Sequence, residues 1–255
     1  MARWRRGRRA RRLRRQRIPY RLWRAAAGPV LAPYRLAGRA RVRLRALAGE
    51  FLQAKVFTGA RGQAIDDALR VAIAAEACLP VLALGLRWYR GWREIIVYPG
   101  SFVVEHEVED SAGVVHRERR VLGGEAWDRG PVILAWEDVR PDADLRRQGV
   151  SLVLHEFAHK LDMQSGTANG RPPLHPGMDP RRWAEVLSRA YARLQSEAEW
   201  GGGFIDPYGA ESPAEFFAVA SEHFFLAPEA LQREAPELYG QLRLFYRQDP
   251  ARGLA

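Results

Sequence analysis

Between Ser151 and Asp162 (SLVLHEFAHKLD), apolar residues recur at the period of a helix, and His155-Glu156-Phe157-Ala158-His159 sets three polar groups among them at fixed spacing. Four residues advance a helix by about 6 Å and return to nearly the same face. His155 and His159 can therefore both reach one ion at about 2.0–2.1 Å. Glu156 lies about 100° around the helix from His155, beside such an ion, where its carboxylate can take a proton from bound water. Leu152, Val153, Leu154, Phe157, Ala158 and Leu161 cover the other faces. That is enough to bury the helix and give a metal a rigid support.

Two histidines do not complete a catalytic zinc site, which takes three protein ligands. The extended metzincin pattern requires Gly at position 162 and His at 165, where this chain has Asp162 and Ser165, so that class is excluded. Candidates for the third ligand are Asp162, His175, Asp179, Glu215 and Glu222. Asp162 shares a face with His155 but lies about 10 Å along the axis, a distance suited to a hydrogen bond that orients an imidazole. His175 and Asp179 sit in a long Gly- and Pro-rich segment, 166–179, a poor place to fix a ligand. Glu215 and Glu222 are two turns apart on one face of a helix beginning at Pro213, so one can bind metal while the other supports it. Glu215 has a second reading, because Ser212-x-x-Glu215 is a capping box with Pro213 at the favoured first position.

Around this motif the chain reads as helices, a run of strands, then helices. Helices are expected over residues 36–58 and 63–84, the second ended or kinked by Pro80. Residues 94–98, 102–108, 114–122 and 132–136 are β-branched and bounded by turn residues. Helices return over 149–164, 180–199, 213–226 and 236–247. This order points to an α+β fold in a single domain over residues 28–255. Glu105, His106, Glu107 and His116 read as exposed charges on a hairpin, His223 as structural, and Cys78 as a small core residue.

Charge needs care. The net charge of the 255 residues is +10, but 12 of the 40 basic residues are arginines in positions 1–24, leaving 28 against 30 acidic residues. The body is therefore near neutral, and residues 1–27 read as an Arg-rich, disordered extension. A tether to nucleic acid or an anionic membrane is the alternative reading of residues 1–24. The only lysines are Lys55 and Lys160. One cysteine excludes an internal disulfide framework and fits the cytoplasm. No apolar run reaches the roughly 18 residues of a membrane span.

Several stretches together resemble a known family: Phe51–Lys55, Ala77–Leu82, Tyr98–Val104, Gly130–Trp136, His155–Asp162, Asp206–Tyr208, Pro213–Phe225 and Phe245–Pro250. In order, and over most of residues 28–250, they are similar to the MtfA-like (Mlc titration factor A) zinc metallopeptidases. The resemblance implies a zincin-like, gluzincin-type fold similar to the anthrax lethal factor catalytic domain. It implies one zinc ion held by His155, His159 and Glu215, Glu156 as the base activating zinc-bound water, and Tyr208 as a donor to the transition state. Aminopeptidase-type hydrolysis of short peptides is the activity it implies, with sequestration of a transcriptional repressor as the alternative role. A zincin-like site also calls for an edge strand beside the cleft, for which Val132–Trp136 and Phe102–Val108 are the candidates.

Overall fold

The computed structural model describes residues 18–109, 115–122, 124–126, 130–139 and 148–254. Helix α1 (Tyr20–Leu31) buries Trp23, Ala27 and Val30, three residues at helical spacing, against α3 (Asp67–Ala77). The boundary expected between residues 27 and 28 thus falls inside a helix that covers the core. Residues 1–17, on which a nucleic-acid or membrane tether would rest, lie outside the described residues.

Helix α2 (Gly38–Ala54) places Ala40, Leu44, Ala48 and Phe51 inward. It stops four residues before the expected end, because Val56–Gly59 forms strand β1. The β-branched Val56 and Thr58 fit an extended chain better than a helix. Asp66 caps α3, its Oδ1 accepting from the Leu69 amide at 2.7 Å. The helix closes at Cys78, two residues before Pro80, as that proline requires.

Strand β2 (Glu94–Tyr98) pairs in parallel with β1 and with β6 (Val132–Ala135), and β5 (Gly124–Ala126) pairs antiparallel with β6. The sheet order is β1-β2-β6-β5. β1, α3 and β2 therefore form a crossover unit that a simple run of strands does not contain. All four residues of β6 are buried, as an interior strand flanked on both sides demands. Strands β3 (Phe102–Glu109) and β4 (Val115–Leu122) form a separate antiparallel hairpin. The side chains of Glu105, His106, Glu107 and His116 lie outside the described residues.

Of the two candidates for the edge strand, Val132–Trp136 does not hold that position. Val132–Trp136 contributes the interior β6, and Phe102–Val108 belongs to the hairpin. The end strand touching the central helix is β5, whose Gly-Glu-Ala sequence has no β-branched residue to announce it.

The second half is helical: α4 (Leu152–Asp162), α5 (Pro180–Glu199), α6 (Pro213–Leu226), α7 (Pro228–Glu234) and α8 (Pro236–Tyr246). α4 lies at the centre, against α3, α6, β5 and β6. Its Phe157 ring stands 5.1 Å from Tyr89 and 5.7 Å from both Phe51 and Trp92. Trp92 is itself flanked by both lysines, Lys55 Nζ at 3.3 Å and Lys160 Nζ at 5.1 Å from its ring centre. Lys55 also donates to the Tyr89 and Trp92 carbonyls, both at 2.7 Å, and Lys160 to the Gly130 carbonyl at 2.9 Å. Cys78 is fully buried in the core, and burial pushes its thiol well above the usual range. Among the described residues, no helix is long and apolar enough to cross a membrane.

Candidate metal centre

α4 and α6 cross so that three donor atoms converge. Glu215 Oε2 stands 2.9 Å from His155 Nε2 and 3.3 Å from His159 Nε2, and the two Nε2 atoms are 3.1 Å apart. Tetrahedral donors about 2.0–2.1 Å from a zinc ion stand about 3.3 Å from one another, so this triangle has the size a metal requires. Among the described residues it is also the one group of His, Cys, Asp or Glu side chains close enough to share an ion. Two imidazoles and one carboxylate form a donor set suited to a divalent transition metal.

The structure separates the two glutamates. Ser212 Oγ caps α6 by accepting from the Glu215 amide at 3.2 Å, but the Glu215 carboxylate turns to the two imidazoles instead of completing a reciprocal cap. Burial pushes this carboxyl up, but hydrogen bonds from His155 and His159 outweigh it and hold it well below the usual range. Two turns further along α6, Glu222 Oε1 accepts from His155 Nδ1 at 2.8 Å. With a metal on Nε2, that bond would hold the remaining ring proton on Nδ1. Burial alone lowers the His155 pKa, yet its bonds to Glu215 and Glu222 raise it well above the ordinary value.

Glu156 is buried on the side of α4 that faces β5. A Cβ at Gly124 would lie 2.5 Å from Glu156 Oε1 and 2.6 Å from Leu152 Cδ1, so a side chain there must push both of these aside. Gly124 escaped the sequence reading; its one signal is the Gly123-Gly124 pair closing a strand. Tyr208 lies in a short 3₁₀ turn, Pro207–Ala210, whose entry Asp206 caps by accepting from the Tyr208 amide at 2.9 Å. Its ring is 5.8 Å from that of His155 and 42% exposed, at the open side of the centre.

The remaining candidates serve elsewhere. Asp162 makes no hydrogen bond to an imidazole: its Oδ2 accepts from the Asn169 and Gly170 amides at 2.7 and 2.6 Å, tying down the loop that follows α4. Burial raises its pKa, against the pull of those amides. His175 Nε2 meets the Phe245 carbonyl at 2.7 Å beside the Trp88 ring, and burial lowers its pKa. Asp179 caps α5 through the Arg181 amide at 2.9 Å. His223 Nδ1 accompanies the Val219 carbonyl of its own helix at 3.1 Å, as a structural histidine should.

With this geometry in view, the sequence profile of the glucose-regulated metallo-peptidase M90 family matches residues 2–247. The chain belongs to that M90 family. Its similarity to individual members is extensive. A protein named Mlc titration factor A from Salmonella arizonae is 41% identical over 233 residues, covering 90% of this chain and 91% of the relative. The protein of the same name from Pectobacterium atrosepticum is 42% identical over 233 residues, covering 89% of this chain and 86% of the relative. M90 membership makes the chain a metallo-peptidase by class and implies a metal, for which the His155–His159–Glu215 triangle is the fitting group.

Proposed function

We propose that this chain is a zinc-dependent peptidase that cleaves short peptides in an aminopeptidase-type reaction. The donor triangle of His155, His159 and Glu215 carries the reading, since those three residues would hold one zinc ion. Bound there, zinc supplies a Lewis acid that polarises the scissile carbonyl and acidifies water. Glu156, next to His155 on the helix and set against β5, takes the proton of the attacking water and returns it to the leaving amine. Tyr208 donates its phenolic hydrogen bond to the oxygen on which charge develops. β5 ends the sheet beside α4 and offers its backbone to an extended substrate strand. A zincin-like, gluzincin-type architecture resembling the anthrax lethal factor catalytic domain belongs to the same proposal, supported by a central metal helix with a small sheet beside it. So does a cytoplasmic location, supported by the lone buried Cys78.

Hydrolysis of a mixed short-peptide library by the purified protein tests this, with Glu156→Gln and an N-acetylated library alongside. The expected result is activity removed by a chelator, restored by zinc, missing in Glu156→Gln and blocked by acetylation. Persistence in the chelator or in Glu156→Gln defeats the peptidase reading. Equal cleavage of acetylated peptides defeats only the aminopeptidase part.

The name shared by the relatives favours a second reading, in which the chain sequesters a transcriptional repressor of the Mlc type and hydrolysis is secondary. Binding of such a repressor by both the wild type and Glu156→Gln, without cleavage, supports it.

A further inference from the structure

The hydrogen bonds behind His155 continue well past Glu222. Glu222 Oε2 also accepts from the Ser151 amide, the residue that opens α4. Ser151 Oγ accepts from the Leu154 amide at 3.2 Å as the helix cap and donates to Glu76 Oε1 at 2.8 Å. The same Glu76 oxygen receives the Tyr34 hydroxyl at 2.6 Å. A single buried string therefore runs from Tyr34, between α1 and α2, through Glu76 on α3 and Ser151 at the head of α4, to Glu222 on α6 and the ring of His155.

Packing does not account for Glu76. It is fully buried, with Ala72, Ala74, Ala75 and Ala77 around it on a helix whose other inward residues are apolar. Placing a carboxylate there costs several kcal/mol unless hydrogen bonds offset it. Two hydroxyls donate to its Oε1, and one of them belongs to the residue that also holds Glu222. Ser151 is pinned from two directions by carboxylates of two different helices, and its own position sets where α4 begins. His155 lies one helical turn later.

We propose that Glu76 is a positioning residue for the metal centre: acting through Ser151 and Glu222, it fixes the orientation of the His155 imidazole, with Tyr34 as its second anchor. The inference rests on the metal reading above and adds residues that touch neither metal nor substrate. It predicts a graded effect. Removing the carboxylate frees the Ser151 hydroxyl and slackens the Glu222–His155 pair. A side chain that still accepts two hydroxyl hydrogens keeps most of the geometry.

The test is zinc affinity of the full chain, measured by competition with a fluorescent chelator, for the wild type, Glu76→Ala, Glu76→Gln and Tyr34→Phe. Melting curves are recorded on the same samples, and His155→Ala is the control for site occupancy. Glu76→Ala is expected to bind zinc about 10- to 100-fold more weakly, the range for loss of a group behind a ligand. Glu76→Gln should recover to within about 3-fold of wild type and Tyr34→Phe should lose about 3-fold, as one of two similar donors. Tyr34→Phe keeps its ring in place and carries the test should Glu76→Ala not fold.

A role confined to stability would lower the melting temperature and leave zinc affinity unchanged, and that result overturns the inference alone. Equal losses in Glu76→Gln and Glu76→Ala also overturn it, because the acceptor geometry would then be irrelevant. A wild type that binds no zinc, or binds it as well without His155, overturns the metal reading and this inference together.

Discussion

Glu215 and Glu222 sit seven residues apart on one helical face, yet one joins the donor triangle and the other holds a donor from behind. The difference sets two expectations. Glu215→Gln removes a charged donor and should abolish tight zinc binding while α6 keeps its Ser212 cap, read as lost metal content in a protein of unchanged circular dichroism. Tyr208→Phe should lower kcat by about 10²-fold, the scale of one donor to a developing oxyanion, with metal content unchanged. An unchanged kcat would return Tyr208 to a packing role. The His155–His159 pair was legible because helical geometry alone fixes it. Glu215 against Glu222 was not, since the deciding contacts to His155 span 60 and 67 positions of chain. Ser151 offered a visible cap signal, a serine before an apolar run, but nothing in its neighbourhood pointed to Glu76, 75 residues away.

At the level of elements, the long helices of the second half were read well, whereas α1, α7 and the short strands were not. α5 and α6 begin and end where Pro180, Pro213 and their capping residues place them. β1 was absorbed into the preceding helix because its four residues are too few to show alternation, and β5 carries no strand-forming side chain. Their pairing into a sheet is a long-range event that local propensity cannot encode. β5 yields a prediction of its own. Gly124→Ala puts a methyl group against the ends of Glu156 and Leu152, side chains that can swing aside. The cost in stability should be about 1–3 kcal/mol, the range for inserting a carbon into a packed contact. Peptide hydrolysis should fall by at least about 10-fold, because the base leaves its place. Full activity in Gly124→Ala would place Glu156 outside the reaction.

Across the whole molecule, α1 belongs to the folded body. A chain starting at Pro33 loses the burial of Trp23 and Val30, about 1.5–3 kcal/mol for each. Its melting temperature should fall clearly below that of the full chain. The buried ammonium of Lys55 sets a pH dependence. Burial, then repulsion from Lys160 and Arg93, lowers its pKa from 10.5 to about 7. Between those values the unfolded chain binds more protons than the folded one, so stability rises with pH through that window. The melting temperature of the wild type relative to Lys55→Met should therefore climb from pH 7 to 9, and a flat difference would refute it. The wide spacing of the metal donors has a consequence for biosynthesis. His155 and Glu215 are 60 positions apart, and a ribosome adding about 5–20 residues each second needs roughly 3–12 s to cross that interval. The nascent chain thus carries two exposed imidazoles with no third donor for several seconds. A metal bound by this triangle would be captured in its final coordination only after α6 has emerged and docked.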